Sequence, residues 1–142
     1  MEKVESFKLD HNKVKAPFVR KCCVLDGKMG DKVSKFDLRF LQPNKEAFGT
    51  AAMHGLEHLL ATYLREELEG LIDLSPMGCR TGFYLVMWGD VEAKTVKEGL
   101  ERALEKVLKA EEMIAATSVE CGNYRDAKYV LDKGFSLNIY GE

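Results

Sequence analysis

The feature that most constrains this chain is a helical pattern over residues 50–68. Its large apolar residues recur at the three- and four-residue spacing of an amphipathic helix. They are Met53, Leu56, Leu60, Tyr63 and Leu64. A stripe of this kind is buried against a sheet or another helix. The pattern therefore predicts a helix that begins at Thr50 and ends near Glu69, where Gly70 stops it.

A second face of the same helix carries His54, Glu57 and His58. At 100° per residue these three side chains fall within an arc of roughly 100°, separate from the apolar stripe and next to it. Two imidazoles one turn apart can bind one metal ion, and a carboxylate beside them that is not a ligand can move protons. The pattern favours a divalent metal centre, although the same residues on a solvated helix face would need no special role.

A metal held by two histidines requires at least one further protein ligand. The candidates are Cys79 and Cys121, which both lie in glycine-bearing segments outside the apolar patterns. Their spacing does not decide which of them binds the metal, and a plain structural thiol is an alternative for each. Cys22 and Cys23 lie inside an apolar segment, where a cysteine usually serves as a small buried hydrophobe.

The rest of the chain alternates between strand and helix patterns. Residues 18–25 and 33–41 are predicted to form a β-hairpin around a polar, glycine-containing turn. In the second strand, Asp37 and Arg39 share one face while the aromatic and aliphatic residues share the other. Short strands are predicted at 71–74, at 83–88 and at 135–140, with a helical turn around Val130.

A second amphipathic helix is predicted after Gly89-Asp90, because Val96, Leu100, Leu104 and Leu108 recur every four residues. Residues 1–17 are polar with isolated hydrophobes and resemble an arm. A hairpin that precedes the first long helix favours an α+β fold, with an antiparallel β-sheet and helices packed on one face. We place no domain boundary, so residues 1–142 are predicted to form a single domain.

Charge and hydropathy exclude several functional classes. Lys and Arg number 21 against 23 Asp and Glu, and no block of like charge suggests nucleic acid or an anionic membrane as a partner. No apolar run approaches the roughly 20 residues of a membrane span, and the N-terminus lacks the apolar core of a signal peptide. We expect a cytoplasmic protein with reduced cysteines.

The histidine pattern has a competing meaning. His, two intervening residues, Glu and His is also the zinc signature of inverzincin peptidases, in which the glutamate activates a metal-bound water. Such an enzyme needs a downstream glutamate ligand and a longer chain than this one. A small inverzincin-like metallohydrolase and a non-catalytic, metal-stabilised module are therefore two readings that the histidine pattern leaves open.

Several short motifs, in order along nearly the whole chain, resemble the S-ribosylhomocysteine lyase (LuxS) family. These motifs are Ser6-Phe7, Asp10-His11, Phe36-Asp37-Leu38-Arg39-Phe40, Gln42-Pro43-Asn44, His54-Gly55-Leu56-Glu57-His58, Ile72-Asp73, Ser75-Pro76-Met77-Gly78-Cys79-Arg80-Thr81-Gly82-Phe83-Tyr84 and Cys121-Gly122-Asn123-Tyr124-Arg125-Asp126. The agreement of many motifs in order is far more specific than the histidine pair alone.

The resemblance implies a homodimer with active sites at the subunit interface and one divalent metal per subunit. The metal would be Fe²⁺, which Zn²⁺ or Co²⁺ can replace, and its ligands would be His54, His58 and Cys121. Glu57 and Cys79 would be the general acid and base. Arg39 would favour the Cys79 thiolate and help to hold the sugar.

The resemblance also assigns substrate-binding positions. Ser6 and His11, in the arm, would reach into the partner's site, and Arg65, Asp73 and Leu74 would lie around the homocysteine end. The family reaction moves a carbonyl along the ribose and then eliminates homocysteine, leaving 4,5-dihydroxy-2,3-pentanedione, the precursor of autoinducer-2. Two departures stand out: the chain is shorter than expected for the family, and Ala127 replaces an expected histidine.

Overall fold

The fold is built on one four-stranded antiparallel sheet. The computed structural model describes residues 2–125. In chain order the elements are α1 (Glu5–Lys8), β1 (Phe18–Asp26), β2 (Lys32–Arg39), α2 (Thr50–Glu67), β3 (Leu71–Pro76), β4 (Gly82–Trp88) and α3 (Ala93–Lys109). The predicted hairpin, both predicted helices and the strands near 71–74 and 83–88 are confirmed, with ends shifted by a few residues.

The order of strands in the sheet is β1-β2-β4-β3. The last strand therefore inserts between β2 and β3, and Arg39 at the end of β2 pairs with Gly82 at the start of β4. Only glycine fits there, because a Cβ at Gly82 would collide with the backbone carbonyl oxygen of Leu38. This pairing places Arg39 beside the turn that precedes β4, which contains Cys79.

One face of the sheet forms the hydrophobic core with α2 and α3. Phe36, Leu38, Phe83, Leu85 and Met87 project from this face, since alternate residues of a strand point the same way. The predicted stripe of α2 packs on them: Met53, Leu56, Leu60 and Leu64 are buried, and Tyr63 is half-buried. The α+β architecture, with its two long helices on one face, follows from this buried layer.

The prediction for the second helix was wrong at one position. Val96, Leu100 and Leu104 are buried, but Leu108 is 65% exposed. Four residues turn an α-helix by 400°, so a strict four-residue repeat drifts by about 40° at each step and leaves the core side. Val107, three residues after Leu104, occupies the core position instead.

Part of the sequence prediction lies outside the described residues. This part comprises the helical turn around Val130, the strand at 135–140, Asp126 of the last motif and Ala127. Within residues 2–125, no helix is long and apolar enough to cross a membrane.

Candidate active site

Three side chains that could hold a metal ion converge at the N-terminal half of α2, and we call them the metal-binding group. The Sγ atom of Cys121 lies 3.5 Å from Nε2 of His54 and 3.7 Å from Nε2 of His58. All three donor atoms lie within 4.8 Å of one another, and all three residues are half-buried. The structure thus brings together the two histidines of the helix pattern and, of the two candidate cysteines, Cys121.

The surrounding backbone orients two of these side chains. Nδ1 of His58 lies 2.8 Å from the carbonyl oxygen of Ile114, which can only accept a hydrogen bond. In the neutral ring this contact selects the tautomer with the proton on Nδ1, which leaves the lone pair of Nε2 for a metal. A turn closed by the carbonyl of Thr117, which accepts from the N–H groups of Glu120 and Cys121, carries the thiol to the histidines.

The spacing of the donors fits a tetrahedral ion. Bonds of about 2.0–2.1 Å to nitrogen and about 2.3 Å to sulfur place N and S donors roughly 3.5 Å apart around such a centre. The two observed N···S distances agree with that value. Two imidazoles and a thiolate leave a fourth position for a further ligand, which is the arrangement of a catalytic metal site.

Glu57 lies on the same helix face as the histidines but is not a member of the metal-binding group. Within the described part of the chain, that group contains two histidines, one cysteine and no carboxylate. Glu57 is half-buried, one residue before His58 and three after His54. Glu57 thus shares the helix face of the two histidines and lies outside the metal-binding group, and its role in moving protons stays a prediction.

A buried ion pair occupies the opposite face of the sheet. Asp37 and Arg39, on β2, are 0% and 2% exposed. Arg39 donates from Nε to Oδ1 of Asp37 at 3.0 Å and from Nη2 to Oδ2 at 2.7 Å. Burial disfavours the guanidinium charge, but the hydrogen bonds and charge of Asp37 outweigh it, so the pKa of Arg39 is raised. Two contacts fix the direction of the guanidinium.

Arg39 and Cys79 line one cavity of about 440 Å³. Its wall is formed by the end of β2, the turn before β4, the arm and the loop after β2. The lining residues are His11, Arg39, Pro43, Asn44, Lys45, Glu46, Ala47, Cys79 and Thr81. They include neither histidine of the metal-binding group nor Cys121. Cys79 is exposed, and its Sγ lies 3.1 Å from the hydroxyl of Thr81.

The arm is attached to the charged face of its own sheet. Glu5, on α1, accepts a hydrogen bond from Nη1 of Arg20 at 2.6 Å. Ser6 is hydrogen-bonded to Tyr84, whose pKa is raised by burial and lowered to a lesser extent by that contact. Gln42 holds the end of the arm, accepting from the N–H of Ala16 and donating to the carbonyl of Val14. These contacts place His11 at the cavity of Cys79.

Comparison with known proteins decides between the readings of this site. The sequence model described as S-Ribosylhomocysteinase (LuxS) matches residues 4–139. The chain belongs to the LuxS family. It is 78% identical to the S-ribosylhomocysteine lyase of Clostridioides difficile (strain 630) and 71% identical to that of Clostridium botulinum (strain Alaska E43 / Type E3), each over the full length of both chains. The S-ribosylhomocysteine lyase of Enterococcus faecalis (strain ATCC 700802 / V583) is 51% identical over 99% of this chain and 97% of its own.

This LuxS chain is shorter than its alignment with the Clostridioides difficile relative. The alignment with the Clostridioides difficile relative spans 151 positions, nine more than the chain has residues. The relative therefore has residues that this chain lacks, as the shortness noted in the sequence indicated. None of the three metal-binding side chains is lost, because His54, His58 and Cys121 meet within the described residues.

Three of the predicted substrate-binding residues of this LuxS chain lie away from the cavity that Cys79 lines. Arg65 is exposed near the end of α2 and donates to the carbonyl of Ala61. Asp73 is exposed on the edge strand β3 and accepts from the hydroxyl of Ser75. The side chain of Leu74 is only 7% exposed and belongs to the hydrophobic core. None of the three lines the cavity of Cys79.

The four cysteines differ sharply in environment. Burial raises the pKa of the Cys22 thiol to about 12, although the nearby Arg20 acts against this shift. Cys22 therefore stays protonated and unreactive near neutral pH. Cys23 is also half-buried. Their assignment to packing, made from the apolar segment around them, agrees with this environment, and Cys79 is the exposed thiol of the described chain.

Three contributors to the site carried little or no signal in the sequence. The carbonyl of Ile114, which orients His58, has no side-chain signature. Thr81 lay inside a recognised motif without any indication of its contacts with Arg39 and Cys79. Asp37 had a partial signal, because its spacing of two residues from Arg39 put both on one face of a strand.

Replacing Asp37 should test the buried ion pair. We expect Asp37→Ala to lower the free energy of unfolding by about 3–5 kcal/mol, because a buried guanidinium is left without its partner. Urea denaturation monitored by circular dichroism measures this change. Asp26→Ala, which removes an exposed ion pair with Lys32 on the same hairpin, is the matched control and should leave stability nearly unchanged. Equal effects of the two substitutions would contradict the structural importance of the buried pair.

Proposed function

We propose that this protein is a metal-dependent S-ribosylhomocysteine lyase, which releases homocysteine and 4,5-dihydroxy-2,3-pentanedione. The observation that carries the proposal is the meeting of His54, His58 and Cys121 beside Glu57 in a chain of the LuxS family. A relative that is 78% identical over the full length is named S-ribosylhomocysteine lyase. The product is the precursor of autoinducer-2, which connects the reaction with quorum sensing.

His54, His58 and Cys121 would hold one divalent metal in each subunit. We propose Fe²⁺ as the native ion, with Zn²⁺ or Co²⁺ able to replace it. When bound, such an ion acts as a Lewis acid that polarises a carbonyl or hydroxyl oxygen of the sugar and makes the adjacent C–H groups more acidic. The donor set of two imidazoles and one thiolate supports this role, because it leaves a ligand position for the substrate.

Glu57 and Cys79 would carry the protons. Each carbonyl shift removes a proton from one sugar carbon and delivers one to its neighbour, so a base and an acid must alternate at the open-chain sugar. Two shifts move the carbonyl from carbon one to carbon three. Removal of the proton on carbon four then breaks the bond between carbon five and sulfur, and homocysteine leaves as the thiol after protonation. No external oxidant or reductant is needed, because the redox change is internal to the sugar.

Arg39 would support Cys79 and hold the sugar. Asp37 fixes two of its donors, which leaves Nη1 directed at the segment that contains Cys79. A fixed guanidinium next to a thiol favours the thiolate. For the same reason Arg39 is a pre-organised donor to sugar hydroxyls in the cavity. We assign the remaining contacts to Ser6 and His11 near the ribose, and to Arg65, Asp73 and Leu74 near the homocysteine. Because the side chain of Leu74 lies in the core, its contact would come from the backbone.

We further propose a homodimer in which each active site is shared. His11 lies with Arg39 and Cys79 around one cavity, whose lining includes none of the three metal-binding side chains. If Ser6 and His11 reach into the partner's site, as the family resemblance implies, then Cys79 and Arg39 go with them. Each metal would then face the Cys79 cavity of the partner subunit. We place the enzyme in the cytoplasm, where its thiols stay reduced.

The direct test measures free thiol released from S-ribosylhomocysteine. Protein reconstituted anaerobically with Fe²⁺ should release homocysteine, and the metal-free protein should not. Peptide substrates are included as a second arm, because cleavage of peptides would support the small inverzincin-like metallohydrolase instead. Unfolding on chelation without turnover of either substrate would support the non-catalytic, metal-stabilised module and would overturn the lyase.

A further inference from the structure

Thr81 stands between two residues that the proposed reaction uses. It lies in the turn before β4, and its side chain is 3% exposed. Nη1 of Arg39 donates to its hydroxyl oxygen at 3.1 Å, and the same oxygen lies 3.1 Å from Sγ of Cys79. The contacts form an unbroken series from Asp37 through Arg39 and Thr81 to the thiol.

The chemistry of the three groups fixes the direction of these hydrogen bonds when Cys79 is ionised. A guanidinium only donates, so the oxygen of Thr81 accepts from Arg39. A thiolate only accepts, so the single hydroxyl hydrogen of Thr81 is donated to Sγ of Cys79. Donation from the guanidinium polarises the hydroxyl and strengthens the bond to sulfur. Arg39 thus stabilises the thiolate indirectly, through the hydroxyl group of Thr81 that lies between them.

The backbone of Thr81 is held in place independently of these side chains. Its carbonyl oxygen accepts from the N–H groups of Phe40 at 2.9 Å and Leu41 at 3.0 Å, just after β2. The hydroxyl therefore has a defined position at the wall of the cavity. A positioned donor of this kind stabilises a thiolate without the cost of reorganising at each proton transfer.

We infer that Thr81 is a positioning residue for the lyase reaction: its hydroxyl relays the hydrogen bonding of Arg39 to Sγ of Cys79 and holds that sulfur, as the thiolate, at the sugar. This inference rests on the proposed function, because Thr81 is argued to act through Cys79, the residue that the proposed reaction uses to move protons. Besides Arg39, which is paired with Asp37, the charged or titratable side chains that line the cavity with Cys79 are His11 from the arm and Lys45 and Glu46 from the loop after β2. Among residues 2–125, Thr81 is the neighbour whose hydroxyl contacts both Arg39 and the sulfur.

The test compares Thr81→Val, which removes only the hydroxyl hydrogen-bonding capacity at nearly constant volume, with Thr81→Ser, which keeps it. In the Fe²⁺-loaded protein, we expect Thr81→Val to lower kcat by about ten-fold to a hundred-fold, the range for a lost hydrogen bond to a charged group, with little change in KM. Thr81→Ser should restore most of kcat. If the valine variant does not fold, Thr81→Ala is the second variant. It also removes the hydroxyl but adds no methyl group in its place.

A second measurement follows the thiol itself. The rate of Cys79 carboxamidomethylation, read by mass spectrometry of the peptide that contains it, is measured against pH in the metal-loaded protein. The midpoint of this profile should move up by about one pH unit in Thr81→Val, the shift that corresponds to a ten-fold weaker stabilisation of the thiolate. In Thr81→Ser the midpoint should return to the wild-type value.

Ser34→Ala is the matched control for the loss of a buried hydroxyl. Ser34 is 0% exposed on β2, and its hydroxyl accepts from the N–H of Val91, away from the cavity. The control should change neither kcat nor the alkylation profile. Unchanged kcat and an unchanged midpoint in a folded Thr81→Val would overturn the inference. Failure of the proposed function gives a different result. In that case the wild type releases no thiol, but the pH profile of Cys79 alkylation still tests the effect of Thr81.

Discussion

Cys79→Ala should abolish release of homocysteine while leaving the metal content unchanged. The thiol is assigned to proton transfer, and loss of one positioned acid or base reduces rates by about 10²–10⁴-fold. Cys79 is not one of the three metal-binding residues, so one ion per subunit should remain bound. Thiol release from S-ribosylhomocysteine measures the activity, and elemental analysis of the Fe²⁺-reconstituted protein measures the metal.

Cys121→Ala is the counterpart, and it should lose both the metal and the activity. Two imidazoles remain, but the proposed site then has two protein ligands instead of three. Cys23→Ala is a control for the removal of a thiol, because Cys23 is half-buried on β1 and has no assigned role. If Cys79→Ala lost the ion and Cys121→Ala kept it, the two cysteine assignments would be reversed.

The difference between these two cysteines shows what the sequence could provide. Spacing on α2 predicted a metal-binding face, because a helix has a fixed period and residues 54 and 58 must be neighbours on it. No comparable rule relates Cys79 or Cys121 to that face, since both lie in turns whose path depends on tertiary packing. Without the family resemblance the choice between them stayed open. The structure supports Cys121 by placing its sulfur at both histidines.

In the fold, too, the elements with a regular period could be predicted, and the arrangement set by tertiary contacts could not. The hairpin and the two long helices follow from local periodicity, and they are confirmed. The insertion of β4 between β2 and β3 does not follow from any local pattern, because it depends on which strand edges are free after the hairpin forms. That insertion makes Arg39 a neighbour of Gly82 and therefore brings the guanidinium to Thr81 and Cys79.

The arm shows how a segment without periodicity can still be specified. Its composition predicted only a polar extension, and its attachment depends on contacts with distant residues. Arg20 binds Glu5, Tyr84 is hydrogen-bonded to Ser6, and Gln42 is bonded to the backbone around residues 14–16. These contacts carry His11 to the Cys79 cavity. In the proposed dimer, His11 and the Cys79 cavity would therefore contribute to the same active site.

Mixed dimers should test this consequence decisively. Two differently tagged copies, one with Cys79→Ala and the other with Cys121→Ala, are co-expressed, and the heterodimer is isolated by successive affinity steps. Each homodimer should be inactive. If each metal faces the Cys79 cavity of the partner subunit, the heterodimer has one intact site, built from the metal of the first copy and Cys79 of the second. Thiol release should then recover to about half of the wild-type value per dimer.

The reciprocal heterodimer makes the result unambiguous. A copy that carries both substitutions is paired with a wild-type copy. With shared sites, the wild-type metal faces the missing Cys79 and the wild-type Cys79 faces the missing metal, so both sites are inactive. With sites inside single chains, the outcomes are exchanged: this pair keeps about half of the activity, and the pair of single variants has none. A protein that is monomeric by light scattering and still turns over S-ribosylhomocysteine would contradict the shared-site dimer while leaving the lyase chemistry in place.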